Sequence, residues 1–330
     1  MEFLYHYGLF LAKAVTLVLC IAFILILVIS SRQKGQKAGL EFTDLSADYK
    51  EQQLEIQQQL LDKKAFKQWK KSQPDDKGRT AEKPRLFVIN FNGSIDAHEV
   101  EALREEVTAV LAVATAADEV LVRLESPGGV VHGYGLAASQ LERLRQRNIP
   151  LTVAVDKVAA SGGYMMACIA NSIIAAPFAI VGSIGVVAQL PNFHKLLKKN
   201  HIDVEQFTAG EFKRTVTVFA ENTDKGRQKF QQELEQTHLL FKDFVARHRP
   251  VLDIDKVATG EHWFGYQAKE LQLVDKLQTS DDYLLDSYQH KLVVQVSYQL
   301  KAKLAERLGL AAASAVHKAW LKLAQQTGWH

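Results

Sequence analysis

Beyond Pro84, short runs of strand-forming residues alternate with stretches of helical periodicity, and this alternation restricts the possible folds more than any other feature. Helical spacing covers Ala97–Ala116 and Tyr134–Arg147. The strand-like runs on either side of these stretches are Leu86–Phe91, Glu119–Leu124, Pro150–Val155 and Ile173–Ala176. Because a helix between two strands carries the chain back along the sheet, such strands pair in parallel. The sequence therefore predicts an α/β domain with a largely parallel sheet.

A long apolar stretch, Gly8–Ser30, precedes this domain and contains Lys13 as its only charge. A bilayer core requires about 20 apolar residues in a helix, whereas the apolar region of a cleaved signal peptide is shorter and ends at a small-residue cleavage site. No Ala-x-Ala sequence follows the stretch, so we predict an uncleaved transmembrane anchor over residues 8–30. Basic residues between positions 32 and 37 favour a cytoplasmic C-terminal flank, but long domains cross membranes despite such charges. The side of the membrane therefore stays open.

Residues 31–84 are polar and are expected to form a helical tether between the anchor and the domain. Loose helical spacing predicts one amphipathic helix over Ala47–Lys71, and the turn-forming residues of Ser72–Lys83 end it. A basic run within this helix either contacts lipid head groups or forms a solvated helix face; it consists of Lys63, Lys64, Lys67, Lys70 and Lys71.

The domain itself is expected to extend over residues 85–290 and to include a long helix at Asn222–His248. Cys168–Leu190 is apolar, but a proline and several glycines interrupt it, so it is interpreted as buried strand and turns rather than a second membrane span. Residues 291–330 are predicted to form a last strand, Val293–Tyr298, and an amphipathic helix, Ala302–Gln325.

Charge and cysteine content exclude several classes of protein. The 40 basic and 37 acidic residues leave a net charge of +3, which is too balanced to indicate a nucleic-acid-binding protein on charge alone. The two cysteines, Cys20 and Cys168, lie far apart in apolar runs. The chain therefore has neither a disulfide framework nor the cysteine spacing of a metal site.

Two glycine-rich turns directly follow predicted strands. In the first, Glu125–Gly129, paired glycines either present backbone N–H groups to an anion or simply form a tight turn. In the second, Ala160–Ala167, Ser161 either exposes its hydroxyl at a strand-to-helix junction or caps the helix. If the hydroxyl is exposed, the N–H of Gly162 can point at a developing oxyanion. Neither turn decides between these alternatives by itself.

A serine nucleophile needs a base, and the sequence does not identify one unaided. The histidines nearest to the turns, His132, His194 and His201, have no acidic residue in a recognisable orienting position, so packing or surface roles are favoured. A lysine would have to be neutral, which requires burial or cationic neighbours. Lys213 stands beside an aromatic residue and Arg214, but spacing alone does not select it among 40 basic residues.

Four motifs follow one another along the domain: Ser126-Pro127-Gly128-Gly129, Ala160-Ser161-Gly162-Gly163-Tyr164, Gly182-Ser183-Ile184-Gly185-Val186 and Gly210-Glu211-Phe212-Lys213. Each motif is weak alone, but the four together are highly specific. In this order they resemble signal peptide peptidase A and the S49 family of serine peptidases, which use a Ser/Lys dyad. The likeness covers about Pro84 to Leu285, and the anchor and tether make the chain look most like the SohB branch of inner-membrane peptidases.

The resemblance implies a role for each site residue. Ser161 is the nucleophile, and Lys213, 213 − 161 = 52 residues later, is the general base and then the general acid. Ser183 orients the lysine amine, and the N–H groups of Gly129 and Gly162 form the oxyanion hole. Such a dyad needs no metal or organic cofactor. A lysine that must be neutral implies activity that rises toward alkaline pH.

The same resemblance implies a ClpP/crotonase-like fold and a serine endopeptidase anchored in the bacterial inner (plasma) membrane. Its expected partners are the lipid bilayer and polypeptide substrates such as signal-peptide remnants or membrane-derived peptides; no nucleic acid is expected. Single-domain members form homo-oligomers, and in some the serine and lysine come from adjacent protomers. Two residues depart from the family pattern: Glu125 precedes the first motif where a neutral residue is common, and Arg214 follows the lysine where an acidic one is common.

Two alternatives stay open at this point. A crotonase-type acyl-CoA enzyme also builds oxyanion holes from glycine N–H groups, although it would need neither Ser161 nor Lys213. A non-catalytic membrane scaffold with the same fold would retain the glycine turns without turnover.

Overall fold

The computed structural model describes residues 5–13, 15–18, 39–72 and 83–299 of the protein. Residues 40–298 form one compact unit, and residues 1–39 together with 299–330 form a second. In the second unit, residues 5–13 and 15–18 are helical and exposed. Within the described ranges, no helix combines the length and the apolar character that crossing a bilayer requires. The predicted anchor over 8–30 lies mostly outside the described residues, and the predicted helix over 302–325 lies entirely outside them.

Ten strands form two sheets in the described part of the chain. The larger has seven strands in the order β1–β10–β2–β3–β4–β6–β9, and the smaller has three in the order β5–β7–β8. Every pair from β10 to β9 in the larger sheet is parallel, which confirms the predicted α/β class. The strands are β1 Gly39–Asp44, β2 Arg85–Asn92, β3 Glu119–Glu125, β4 Leu151–Val155, β5 Val158–Ala160, β6 Ser172–Ala175, β7 Ile180–Gly182, β8 His262–Phe264, β9 Lys276–Leu277 and β10 Leu292–Gln299.

Ten helices accompany these strands in the described part of the larger unit. They are α1 Leu45–Leu60, α2 Lys63–Ser72, α3 Val100–Val113, α4 Val131–Gln146, α5 Gly162–Ala167, α6 His194–Lys199, α7 Asp224–His248, α8 Ile254–Val257, α9 Gly265–Glu270 and α10 Ser280–Ser287. The predicted strands and the long helices at α3, α4 and α7 are confirmed, with ends that differ by a few residues. The segment after Cys168 contains the short strands β6 and β7, as expected from its interrupting glycines and proline.

The large sheet is covered on both faces because successive residues of a strand point in opposite directions. Phe87 and Ile89 of β2 pack into the larger core with residues of α3, α4, α5 and α7. Leu86 and Val88 point the other way, into a smaller core that Leu45 and the α10 residues complete. A strand buried on both faces reads as a continuous apolar run, which is why Leu86–Phe91 could be recognised in the sequence.

The prediction of one helix over Ala47–Lys71 is wrong, because two helices occupy this region. The chain leaves α1 at Leu61 in an extended conformation. Asp62 then caps α2, since its carboxylate accepts hydrogen bonds from the N–H groups of Lys64 at 2.9 Å and Ala65 at 2.8 Å. An aspartate in this position favours a new helix start over helix continuation.

The compact unit begins earlier and ends later than the expected domain boundaries at 84/85 and 290/291. β1 and β10 are strands of the large sheet. The hydroxyl of Ser46 accepts a hydrogen bond from the N–H of Val293 at 2.9 Å, and the rings of Tyr49 and Tyr288 stack with centroids 4.5 Å apart. Strand β1 and the beginning of α1 are therefore packed on the domain, although the polar composition of this region resembles that of a linker.

Candidate active site

Ser161 occupies a strained turn between β5 and α5. Its φ of 51° lies in the left-handed region, which non-glycine residues seldom adopt. The N–H of Ser161 donates to the carbonyl of Gly182 at 2.8 Å, and its own carbonyl accepts from Met165 at 3.0 Å. The side chain makes no capping hydrogen bond to α5. The backbone is thus held on both sides while the hydroxyl stays available, which disfavours the reading of Ser161 as a simple helix cap.

Both glycine-rich turns border one cavity of about 840 Å³. The N–H of Ala160 donates to the carbonyl of Ser126 at 3.0 Å, and the N–H of Ser126 donates to Val158 at 2.8 Å, so the turns are joined by backbone hydrogen bonds. Of the residues predicted for the site, the cavity wall contains Ser161, Ser183, Gly129 and Gly162. Three motifs that are far apart in sequence therefore meet in one place.

The two turns approach so closely that side chains are excluded between them. Gly128 has a φ of +88°, and a Cβ there would lie 2.7 Å from the Cβ of Ser161. A glycine is required at this position by both conformation and space. Within the described chain, the N–H groups of Gly129 and Gly162 donate no hydrogen bond, and both residues line the cavity. Two free backbone donors beside a serine hydroxyl are the arrangement that stabilises an oxyanion.

The side chain of Tyr134 contacts both glycine-rich turns. Its hydroxyl donates to the carbonyl of Ser94 at 2.7 Å and lies 2.5 Å from the Ser126 hydroxyl, which in turn accepts the N–H of Gly128 at 3.1 Å. Burial raises the pKa of Tyr134, although its bond to Ser126 acts in the opposite direction, so the hydroxyl stays protonated. Sequence analysis assigned Tyr134 only to a helix, because nothing local indicates which turn its ring contacts.

Ser183 directly follows β7, which pairs with β5 beside Ser161, and is also strained, with a φ of 52°. Its N–H donates to the carbonyl of Glu261 at 2.7 Å, and its hydroxyl lies 3.5 Å from the carbonyl of Gly260. The next residue is held by α7, where His238 Nε2 lies 3.1 Å from the carbonyl of Ile184. His238 was not selected from the sequence, since no local motif surrounds it.

The remaining cavity wall is largely apolar. It includes aliphatic and aromatic side chains from five separate segments, namely Ile95, Val130, Val131, Met165, Val186, Val187 and Phe241. Several of these belong to exposed loops, and Val187 is 90% exposed. An open apolar wall beside the Ser161 hydroxyl can accommodate the apolar groups of a ligand.

Lys213 is not among the residues that line this cavity. It lies exposed between α6 and α7, where its N–H donates to the carbonyl of Gly210 at 3.2 Å. The neighbouring Phe212 packs under Lys225, near the beginning of α7. Thr237 of the same helix lines the cavity, and twelve residues of helix separate it from Lys225, or about 18 Å. A single chain therefore presents the serine without the lysine.

The histidines considered as alternative bases also lie elsewhere. His132, His194 and His201 are absent from the cavity wall, and His238, which does line it, is engaged with a backbone carbonyl. The described residues contain no group of three or more histidine, cysteine, aspartate or glutamate side chains that could hold a metal ion.

Two models of one protein family together match most of the chain. The family model described as Peptidase family S49 N-terminal matches residues 2–141, and that described as Peptidase family S49 matches residues 143–293. A probable protease SohB of Haemophilus influenzae is 54% identical over 326 residues, covering 93% of this chain and 92% of the relative. A second probable protease SohB, from Buchnera aphidicola subsp. Schizaphis graminum, is 50% identical over 319 residues, and the match covers 93% of each chain.

Among solved structures, a mutant of the 1510-N membrane-bound stomatin-specific protease in complex with a substrate peptide is similar with a TM-score of 0.44 and 13% sequence identity. The similarity covers 68% of this chain and 96% of that one.

Proposed function

The chain belongs to peptidase family S49, a family of proteases, and from this premise we propose that it is a membrane-anchored serine endopeptidase with a Ser161/Lys213 dyad. The observation that carries the proposal is the placement of Ser161: a strained serine without a capping bond, beside the free N–H groups of Gly129 and Gly162 in one cavity. Acyl transfer requires a nucleophile that lies next to hydrogen-bond donors for the oxyanion, and this is the arrangement proposed here.

The proposed reaction proceeds through an acyl-enzyme. The neutral amine of Lys213 removes the proton of Ser161 as the hydroxyl oxygen attacks the peptide carbonyl. Gly129 and Gly162 donate to the oxyanion of the tetrahedral intermediate, and protonated Lys213 then gives its proton to the leaving amine. Water repeats the sequence in the second half and releases the acyl group from Ser161. Ser183 would accept or donate a hydrogen bond to the lysine amine, as its position in the cavity wall allows.

We assign the lysine to a second copy of the chain. The cavity of one chain lacks Lys213, and the segment that carries it is rich in exposed apolar side chains: Phe207 is 88% exposed, and Phe212 and Phe219 are exposed as well. Exposed apolar surface of this extent is typical of protein–protein contacts. A homo-oligomer that covers these side chains and brings Lys213 of one protomer to Ser161 of the next would complete each site.

The substrate class follows from the apolar cavity wall. Unfolded or membrane-derived polypeptides, including remnants of signal peptides, offer apolar side chains in extended conformation and would fit beside Val186, Val187 and Met165. The proposed ClpP/crotonase-like fold and an anchor at residues 8–30 in the bacterial inner membrane are consistent with such substrates.

The test is hydrolysis of an unstructured apolar reporter peptide by the detergent-solubilised full chain. Ser161→Ala is expected to lower kcat/KM by roughly 10³-fold or more, as losses of a serine nucleophile do. Ser139→Ala is the matched control, because Ser139 lies on the exposed side of α4, where its hydroxyl bonds only the carbonyl of Gly135. Retained activity of Ser161→Ala would place the nucleophile elsewhere. Absence of hydrolysis by the unmodified chain would instead favour the scaffold, or the acyl-CoA enzyme if thioesters are turned over.

A further inference from the structure

Helix α2 carries a continuous face of positive charge that the proposed peptidase chemistry does not use. Its ten residues contain five lysines and no acidic residue. At 100° per residue the five ammonium groups fall within an arc of about 120°. All five side chains are exposed; they are Lys63, Lys64, Lys67, Lys70 and Lys71 and are called the lysine face below.

No member of the lysine face forms an ion pair with any described residue. Some lysines elsewhere in the domain are paired, for example Lys157 with Glu125 at 2.9 Å and Lys291 with Glu119 at 2.6 Å. Within the lysine face, by contrast, positive charges follow one another at spacings of three and four residues, and like charges at these spacings destabilise a helix. An external anionic partner would relieve this repulsion.

The opposite side of α2 keeps the lysine face pointing outward. Ala65, Phe66 and Trp69 are half-buried and occupy the arc away from the lysines. The rings of Phe66 and Trp69 stack with centroids 6.0 Å apart, and Asp62 fixes the beginning of the helix through its two capping bonds. The face is therefore presented by an ordered helix rather than by a charged coil.

We propose that the lysine face binds the anionic head groups of a phospholipid bilayer. Lysine ammonium groups on flexible stems match the spread of phosphodiester charges at a lipid surface, and each contributes through attraction that depends on salt. The predicted anchor ends 32 residues before α2 (62 − 30), so the tether would hold the face at high local concentration near lipid. The proposal concerns only α2 and is independent of the Ser161 chemistry.

The experiment measures lysine acetylation by mass spectrometry on the full chain assembled into nanodiscs. One set of discs contains phosphatidylcholine alone, and the other contains added phosphatidylglycerol. On anionic discs we expect the lysine face to be acetylated roughly five-fold more slowly than on neutral discs, which corresponds to the attraction of one lysine to an anionic surface. High salt should remove the difference, since exposed charges are screened. Retention of the chain on neutral discs reports the anchor separately.

Three exposed lysines of α6 are the internal control, and none of them is ion-paired in the described chain: Lys195, Lys198 and Lys199. Replacing Lys64, Lys67 and Lys71 with Gln should abolish the slowing at Lys63 and Lys70, whereas replacing the three α6 lysines with Gln should leave it unchanged. Equal rates on both lipids would overturn the proposal. If acetylation of the lysine face is equally slow on both lipids, a protein rather than lipid covers the face. If the α6 lysines are slowed on anionic discs as much as the lysine face, the attraction is general, and this result would also overturn the proposal.

Discussion

The ring of Tyr134 lies against Gly162 so closely that a Cβ on the glycine would overlap Tyr134 Cγ. This contact links helix α4 to the turn that carries Ser161. The hydroxyl at the far end of the same side chain bonds Ser126 in the other glycine turn. One buried side chain thus sets the separation of the two proposed oxyanion donors, and the relation leads directly to two predictions.

Gly162→Ala is expected to abolish peptide hydrolysis and to lower the melting temperature, because the new methyl group must displace the Tyr134 ring. Overpacking of this kind costs about 1–3 kcal/mol of folding free energy. Gly135→Ala is the control: a methyl group on this helix glycine would have no other atom within 4 Å, so alanine should raise stability by up to about 1 kcal/mol without loss of activity. Full activity of Gly162→Ala would contradict the proposed oxyanion hole.

Tyr134→Phe keeps the ring against Gly162 but removes the hydroxyl between Ser94 and Ser126. We expect kcat to fall by about ten-fold with KM nearly unchanged, because the oxyanion acts in the transition state rather than in substrate binding. Tyr283→Phe removes a half-buried hydroxyl that contacts Glu119 at 3.2 Å, away from the cavity. It should lower stability without affecting kcat. Equal losses of kcat in the two variants would indicate a purely structural role for Tyr134.

A dyad shared between protomers predicts complementation. Ser161→Ala and Lys213→Ala should each be inactive, whereas subunits mixed by dissociation and reassembly should regain roughly a quarter of the activity, because each site needs an ordered pair of different subunits. Hydrolysis of the reporter peptide measures this, and subunit exchange is verified with differently labelled chains. A mixture that exchanges subunits and stays inactive would place both residues in one chain.

Glu106 predicts a pH dependence of stability that is unrelated to catalysis. Burial raises the pKa of this carboxyl group to about 7, although the hydrogen bond from the N–H of Tyr298 acts in the opposite direction. The folded state therefore holds a proton that the unfolded state releases near pH 4.5, so stability is lost as pH rises from about 4.5 to about 7. The loss is on the order of 3 kcal/mol at most.

Glu106→Gln removes this ionisation while its carbonyl oxygen can still accept from Tyr298. The melting temperature of the variant should exceed that of the unmodified chain at pH 8 and approach it at pH 5. Glu101→Gln, an exposed substitution on the same helix, is the control and should show no such trend. A difference between Glu106→Gln and the unmodified chain that is independent of pH would contradict the prediction.

The sequence by itself determined the features that depend on neighbouring residues. Strand β2 was recognisable because burial on both faces leaves an unbroken apolar run, and α3 and α4 because one face of a helix repeats every third or fourth residue. The turn at Gly128 was recognisable because the left-handed backbone admits few residues other than glycine. The candidate nucleophile Ser161 was reached in the same way, from a serine between small residues at a strand-to-helix junction, together with the family resemblance.

Only the tertiary structure decided which distant residues meet. The support of Ser126 by Tyr134, the hold of His238 on Ile184 and the place of β10 beside β2 depend on packing between segments far apart in sequence, and no local pattern encodes a partner's position. The tertiary structure also decided what does not meet: Lys213 follows Ser161 by 52 residues, yet the packing of its segment near the beginning of α7 leaves it outside the Ser161 cavity. The sequence shows that the serine and the lysine are both present, whereas the distance between them depends on the helix against which each segment packs.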